Sequence, residues 1–374
     1  MDRAPCRTVL CTIPATSSEA RMSQPATAKQ AGAPQLVLLL IGSCMPVLGA
    51  VLLSPVLPRI SEHFASTPGV DVLVPVILTI PALFVALGAP FAGAVADRFD
   101  RKRLLIVTMV GYAIAGTATA FFALGGLLGA DGWRTPFWLY AAAALAAIPM
   151  ALLLRQPAAH QEDAHQQDAR QEEARDGDRQ PWPWRPLLVP SLVTVGGGVV
   201  FYTLIVQLAY VLDGVGISDP AVIGGVTALM SLATAVGAGL FAKISGRGAR
   251  VLLIAEFALS GLGLLLIAAT EAVPVIVAGA VLTGFATGLL LPTLLTWAVN
   301  RLPFAQRGRG TGLWTGALFL GEFLSPLLIG ALAAVTGGLG PSLGVIGVAS
   351  LVLAALVATV LTVPAAPLNT VPAE

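Results

Sequence analysis

Two carboxylates, Glu256 and Glu322, lie well inside long apolar stretches of this chain. An ionisable group at membrane depth costs about 3 kcal/mol on insertion scales, so it marks a functional hypothesis by default. A carboxyl group held there can bind and release a proton, which is the chemistry that ion-coupled machines need. Glu322 is near the middle of its stretch; the competing reading is a protonated glutamate hydrogen-bonded inside a bundle. For Glu256 a structural or interfacial role is the favoured reading.

Other chemistries find little support. His63, His160 and His165 all lie outside the apolar stretches, and no group of ligands has metal spacing. Cys6, Cys11 and Cys44 form neither a metal set nor a disulfide framework; Cys44 sits in an apolar run and reads as a small hydrophobe. The G-x4-G-K-[ST] phosphate loop is missing from the sequence, which argues against ATP-driven work by this chain. No cofactor is implied. A membrane enzyme would need a nucleophile, a metal or an acid–base set at depth, and none is evident.

The elements that must position these carboxylates follow from composition. Hydrophobic residues make up 56% and charged residues 11% of the 374 positions, and mean hydropathy is +0.85. Soluble domains carry about 25% charged residues. So apolar a chain needs lipid as its solvent, and the backbone must then satisfy its own hydrogen bonds, as helices do. The net charge of +1 and the lack of a basic tract give no sign of nucleic acid.

A span requires about 20 mostly apolar residues. Ten such segments are predicted: 36–57, 72–95, 104–129, 136–154, 187–212, 220–242, 251–270, 274–298, 309–334 and 340–363. The third is long enough for one tilted span but not two. Pro46, Pro81 and Pro292 fall inside spans, where neighbouring helices can satisfy the freed backbone groups. Gly284-x3-Gly288 and Gly312-x3-Gly316 have the spacing of close helix contacts. Residues 1–35 are polar and lack the apolar core of a cleavable signal; Met22 opens an ordinary start, so 1–21 read as a candidate upstream extension.

Loop charges fix an expected orientation. The N-terminal tail, the loop at 98–103, the stretch 155–186, the loop at 243–250 and the loop at 301–309 hold 19 of the 21 Lys and Arg residues. Arg59 and Arg134 are the two on the other side. The positive-inside rule places the 19 in the cytoplasm, and an even number of spans then puts both termini there.

The apolar series breaks once, at 155–186, a hydrophilic stretch of mixed charge that reads as a cytosolic linker. The expected organisation is a cytosolic tail (1–35), a first bundle (36–154), the linker, a six-helix bundle (187–363) and a second tail (364–374). The halves echo each other. Gly93 ends the second span before Asp97-Arg98, and Gly239 ends the corresponding span before Lys243. Beyond that glycine the first half runs 61 residues, to 154, and the second runs 124, to 363. The shortfall of 63 is about two helices with their loops. The expected fold class is therefore an all-α polytopic membrane protein of two bundles, with about ten transmembrane helices (4+6) instead of twelve.

Gly93-x3-Asp97-Arg98-x2-Arg101-Lys102 carries the most specific signal. The glycine permits close helix approach, Asp97 can cap a helix or pair with arginine, and the basic cluster suits an anionic inner leaflet. The bland alternative is that a cytosolic loop simply collects arginines. At these residues the chain resembles the major facilitator superfamily, whose loop reads G-x3-D-[RK]-x-G-[RK]-[RK]; Asp100 stands at the second glycine. Residues 132–140 resemble the entry to the family's sixth helix, and 288–326 resemble helices ten and eleven of bacterial efflux-type members.

On that pattern the third span is composite: 104–118 match the start of helix three and 119–130 the end of helix five. Helix four, with its arginine motif, would be absent. Phe121-Phe122 occupy the place of Gly-Pro in the antiporter motif. The resemblance implies a secondary transporter moving a small drug-like or metabolite solute, with protons as coupling ion, by alternating access in a bacterial inner membrane. It makes Glu322 the proton-coupling candidate, on the cavity-lining eleventh helix, and Tyr202, Gln207, Thr296, Trp297 and Trp314 the cavity-lining candidates, each with packing or interface anchoring as its alternative. Asp213, Asp219 and Glu271 fall at span ends, where water can reach them. The alternative for the whole chain is a truncated, transport-inactive relative.

Overall fold

The computed structural model describes residues 53–98, 183–303, 306–361 and 363, with the backbone alone at 96–98. Among these residues every regular element is helical: α1 (Leu57–His63), α2 (Val70–Arg98), α3 (Trp184–Gly214), α4 (Pro220–Ile244), α5 (Ala249–Ala268), α6 (Val273–Val299), α7 (Arg307–Thr336) and α8 (Leu339–Thr359). Short 3-10 turns precede α1 at Ser54–Val56 and follow α4 at Ser245–Arg247. Seven helices, α2 to α8, are long and apolar enough to cross a membrane.

Each matches a predicted span to within a few residues. The expected span 36–57 differs at its described end, where a 3-10 turn gives way to α1 and the helix runs on to His63. Pro55 and Pro58 stand at the first or second positions of these two pieces, where proline has no amide hydrogen to lose. The spans predicted at 104–129 and 136–154 lie outside the described residues, as does the predicted linker 155–186 up to residue 182; its end, from Trp184, already belongs to α3.

The prolines within the described spans do not interrupt the helices; Pro46 lies outside the described residues. α2 runs continuously through Pro75, Pro81 and Pro90, and α6 through Pro292. Hydroxyl groups are satisfied locally: Thr194, Thr203, Thr227, Thr287 and Thr296 each donate to the carbonyl four residues earlier. That self-sufficiency lets polar side chains sit in a low-dielectric bundle.

Helices α3 to α8 form one bundle. α6 is its hub, packed against α3, α4 and α5, while α8 closes on α5 and α3 on α7. α7 also carries α2 on a second face, the most extensive helix pairing among the described residues. Gly93 lies on Gly308 and Gly312, and Val72 on Gly330, so α2 and α7 run antiparallel. Gly198 lies on Gly321 and Leu187 near Gly310, so α3 and α7 run parallel. α7 is thus the shared wall between the first-half helix α2 and the rest of its own bundle. A second tie joins the halves: the Ser54 hydroxyl donates to the Ile205 carbonyl, and the Ser61 hydroxyl meets the Tyr210 phenol at 2.9 Å.

Charge gathers at one rim. Lys243, Arg247, Arg250, Arg301, Arg307 and Arg309 stand at that end of the bundle, while Asp213, Asp219 and Glu271 stand at the other. Asp219 caps α4 by accepting from the Ala221 amide at 2.9 Å. At the same rim as Asp219, α7 ends on Gly337, whose φ of 84° is left-handed. A Cβ there would meet nothing within 4 Å, so Gly337→Ala isolates the conformational cost. We expect a loss of about 1 kcal/mol, read as a lower thermal midpoint in detergent.

Candidate functional site

Glu322 is the sixteenth residue of the thirty in α7. At 1.5 Å per residue it lies about 22 Å from either end, near mid-membrane. The exposed apolar residues of α7, Leu320, Leu328 and Val335, mark its lipid-facing side. At about 100° per residue Glu322 points roughly opposite them. It falls between the ridge that meets α3, at Gly321, and the ridge that meets α2, at Gly312 and Gly316. Only 7% of its surface is exposed. The carboxyl group therefore faces the seam between the halves rather than lipid.

One turn on from Gly321, Ser325 is buried and its hydroxyl meets the Thr203 hydroxyl of α3 at 3.1 Å. Neither Thr203 nor Ser325 stood out in the sequence, since isolated hydroxyls are common in spans; their spacing from Gly198 and Gly321 was the available signal. They fix the rotation of α7 on α3, and with it the direction of Glu322.

Gly93 has a definite mechanical role. A Cβ at Gly93 would collide with the Gly308 carbonyl and press on the Gly312 backbone, and one at Gly312 would collide with the Ala89 carbonyl. The repeat-related Gly239 would meet nothing within 4 Å; Gly237 takes the close contact instead, against the Phe285 backbone. The sequence echo is thus not a contact echo among the described residues. α2 turns its glycine to the other half, whereas α4 turns its glycine to α6 of its own. Asp97 and Arg98 are on the final turn of α2, one turn beyond this crossing. Arg101 and Lys102 lie outside the described residues.

The other candidates separate into groups. Tyr202 and Gln207 are buried on α3, the helix that supports α7. Trp297 and Trp314 both sit in the apolar cluster around Leu187, Leu290, Leu294 and Leu318, and the indole N–H of each is buried without a partner. Thr296 is partly buried and donates to the Pro292 carbonyl at 2.7 Å. Arg301 lies over the Trp297 ring, 5.4 Å from its centroid. Partial burial pulls the Arg301 pKa down from its ordinary value, though a guanidinium stays charged.

Glu256 belongs to a different place, between α5 and α6. Its Oε1 accepts from the Thr293 hydroxyl at 2.7 Å. Thr293 was not singled out by sequence, although its position after Pro292 on an apolar helix is visible there. Thr293→Val removes this donor while keeping shape. We expect a loss of about 1–2 kcal/mol in thermal or denaturant unfolding, and non-additivity with Glu256→Gln.

The antiparallel and parallel pairings around one shared wall, with a carboxyl group at mid-depth, make the described residues a polytopic helical membrane fold. The family model of the Major Facilitator Superfamily matches residues 39–124 and 191–374. The chain belongs to that superfamily, and is a polytopic membrane transporter of the class. The crystal structure of the human organic anion transporter MFSD10 (TETRAN) is similar in fold, with a TM-score of 0.67 at 17% identity, covering 87% of this chain and 100% of that one. Curated proteins yield no match.

Proposed function

We propose that this protein exports small drug-like or metabolite solutes across a bacterial inner membrane by alternating access, driven by the proton gradient. One observation supports this most: Glu322, a buried carboxyl at mid-span, lies in the seam where α7 meets both α2 and α3. Rocking of one bundle on the other changes this seam, so a proton bound there in one state is exposed to a different side in the next. The basic rim would face the cytoplasm, with both termini, and Gly93, Asp97, Arg98, Arg101 and Lys102 would form the loop that restrains α2 against α7. Tyr202 and Gln207, buried on the helix packed against α7, are candidates for shaping a solute path.

The 63-residue shortfall in the first half favours a second reading, in which two helices are missing and the chain is transport-inactive. The two readings separate in cells. Expression of the full chain should lower accumulation of a toxic solute in a manner abolished by collapsing the proton gradient. No change across a broad compound panel, with the protein confirmed in the membrane, would favour the inactive reading.

A further inference from the structure

α5 is packed against α6, α8 and the 3-10 turn Ser245–Arg247, on the side of the bundle away from α2. Glu256 is 1% exposed there. One carboxyl oxygen accepts from Thr293, while the other, Oε2, is buried without a hydrogen-bond partner. The Trp297 indole N–H, one turn along α6 from Thr293, is buried and unpartnered as well. A long side chain in a helix leans over the preceding turn, toward the N-terminus. For Trp297 that is the turn bearing Thr293, so the two orphaned groups belong to one locality.

No counter-charge among the described residues serves this carboxyl group. α6 has no charged residue between Val273 and Val299, and α8 none between Leu339 and Thr359. On α5 itself the other charge is Arg250, nearly two turns away, whose guanidinium donates to the Ala358 carbonyl of α8. The 3-10 turn contributes Arg247 at the rim. Arg301 stacks on the outer side of Trp297. The series Glu256, Thr293, Trp297, Arg301 therefore leads from a buried acid to the basic rim, with successive members of α6 and its end spaced by four residues. Buried polar atoms rarely go unsatisfied, and a single water can serve an acid and an indole together.

We propose that Glu256, Thr293 and Trp297 form a second proton-binding site, distinct from Glu322, in which one water lies between Glu256 Oε2 and the Trp297 N–H. In the charged state Oε2 accepts from that water; once a proton from bulk water is bound, the Oε2–H donates to it, and the Trp297 N–H donates to it in both states. The site stands independently of the transport reading.

The test uses the full chain in lipid nanodiscs, with 13C-labelled glutamate and infrared spectra recorded across a pH titration. The Glu322→Gln background leaves Glu256 as the intramembrane carboxyl among the described helices. A reversible carboxylic C=O band is expected in that background. It should disappear in Glu256→Gln/Glu322→Gln and change frequency in Trp297→Phe/Glu322→Gln. Absence of a titrating band, its survival without Glu256, or its indifference to Trp297→Phe would each overturn the proposal. Monodispersity on size exclusion identifies variants that fold; should the double variant fail, the single Glu256→Gln compared with wild type gives the same assignment as loss of one glutamate band.

Discussion

Gly93→Val should abolish the assembled protein, seen as loss of the monodisperse peak and of at least nine-tenths of any transport. The side chain would be driven into the backbone of α7 at Gly308 and Gly312, with no flexible neighbour to yield. Overpacking ordinarily costs about 1–3 kcal/mol, and here the obstacle is backbone on a helix that cannot retreat, because its other face is held by Gly198 on Gly321. Gly312→Val should behave alike. Gly239→Ala is the control: nothing lies within 4 Å of its Cβ, so stability should change by less than about 0.5 kcal/mol. A severe effect at Gly239 with a mild one at Gly93 would contradict the assigned pairing of α2 with α7.

Glu322→Gln carries the second large effect. Glutamine keeps the size and hydrogen-bonding capacity of the acid but cannot exchange a proton. Transport driven by a pH gradient should fall at least tenfold, about 1.4 kcal/mol. Exchange of solute down its own gradient should persist, because rocking of the bundles does not require the charge. Thermal stability should hold or rise, since a buried acid with no counter-charge among the described residues is replaced by a neutral amide. Unchanged pH-driven transport would remove Glu322 from the mechanism.

Much of the fold was legible because a lipid solvent leaves few options. Runs of about 20 apolar residues in a chain this hydrophobic must be helices, and the seven spans in the described residues fall where expected. The glycine pairs were legible as contacts but not as partners. Gly312-x3-Gly316 announces a close approach, yet only the three-dimensional arrangement shows that it receives Ala86, Ala89 and Gly93 of α2. The Gly93–Gly239 echo misleads about contact, since repeat-related glycines can face different neighbours.

At the site, the two acids stood out because charge is scarce at depth. Their surroundings did not. Thr293 beside Glu256, and Thr203 with Ser325 beside Glu322, are ordinary hydroxyls in sequence and acquire meaning through helix rotation. Trp297 and Trp314 both belong to the apolar cluster around Leu290 and Leu294, a grouping their sequence positions do not announce. What solute is moved depends on the shape of a path built from both halves, which no local pattern encodes.

In the proposed mechanism, solute movement is coupled to proton movement through the seam at Glu322. Purified full-length protein in sealed proteoliposomes, with a pH-sensitive dye inside, tests it most directly. Adding a transported amphiphilic solute from a broad panel should produce solute-dependent proton flux in the wild type and none in Glu322→Gln. Solute movement with no accompanying proton flux, or equal flux in both proteins, would rule out proton coupling at Glu322.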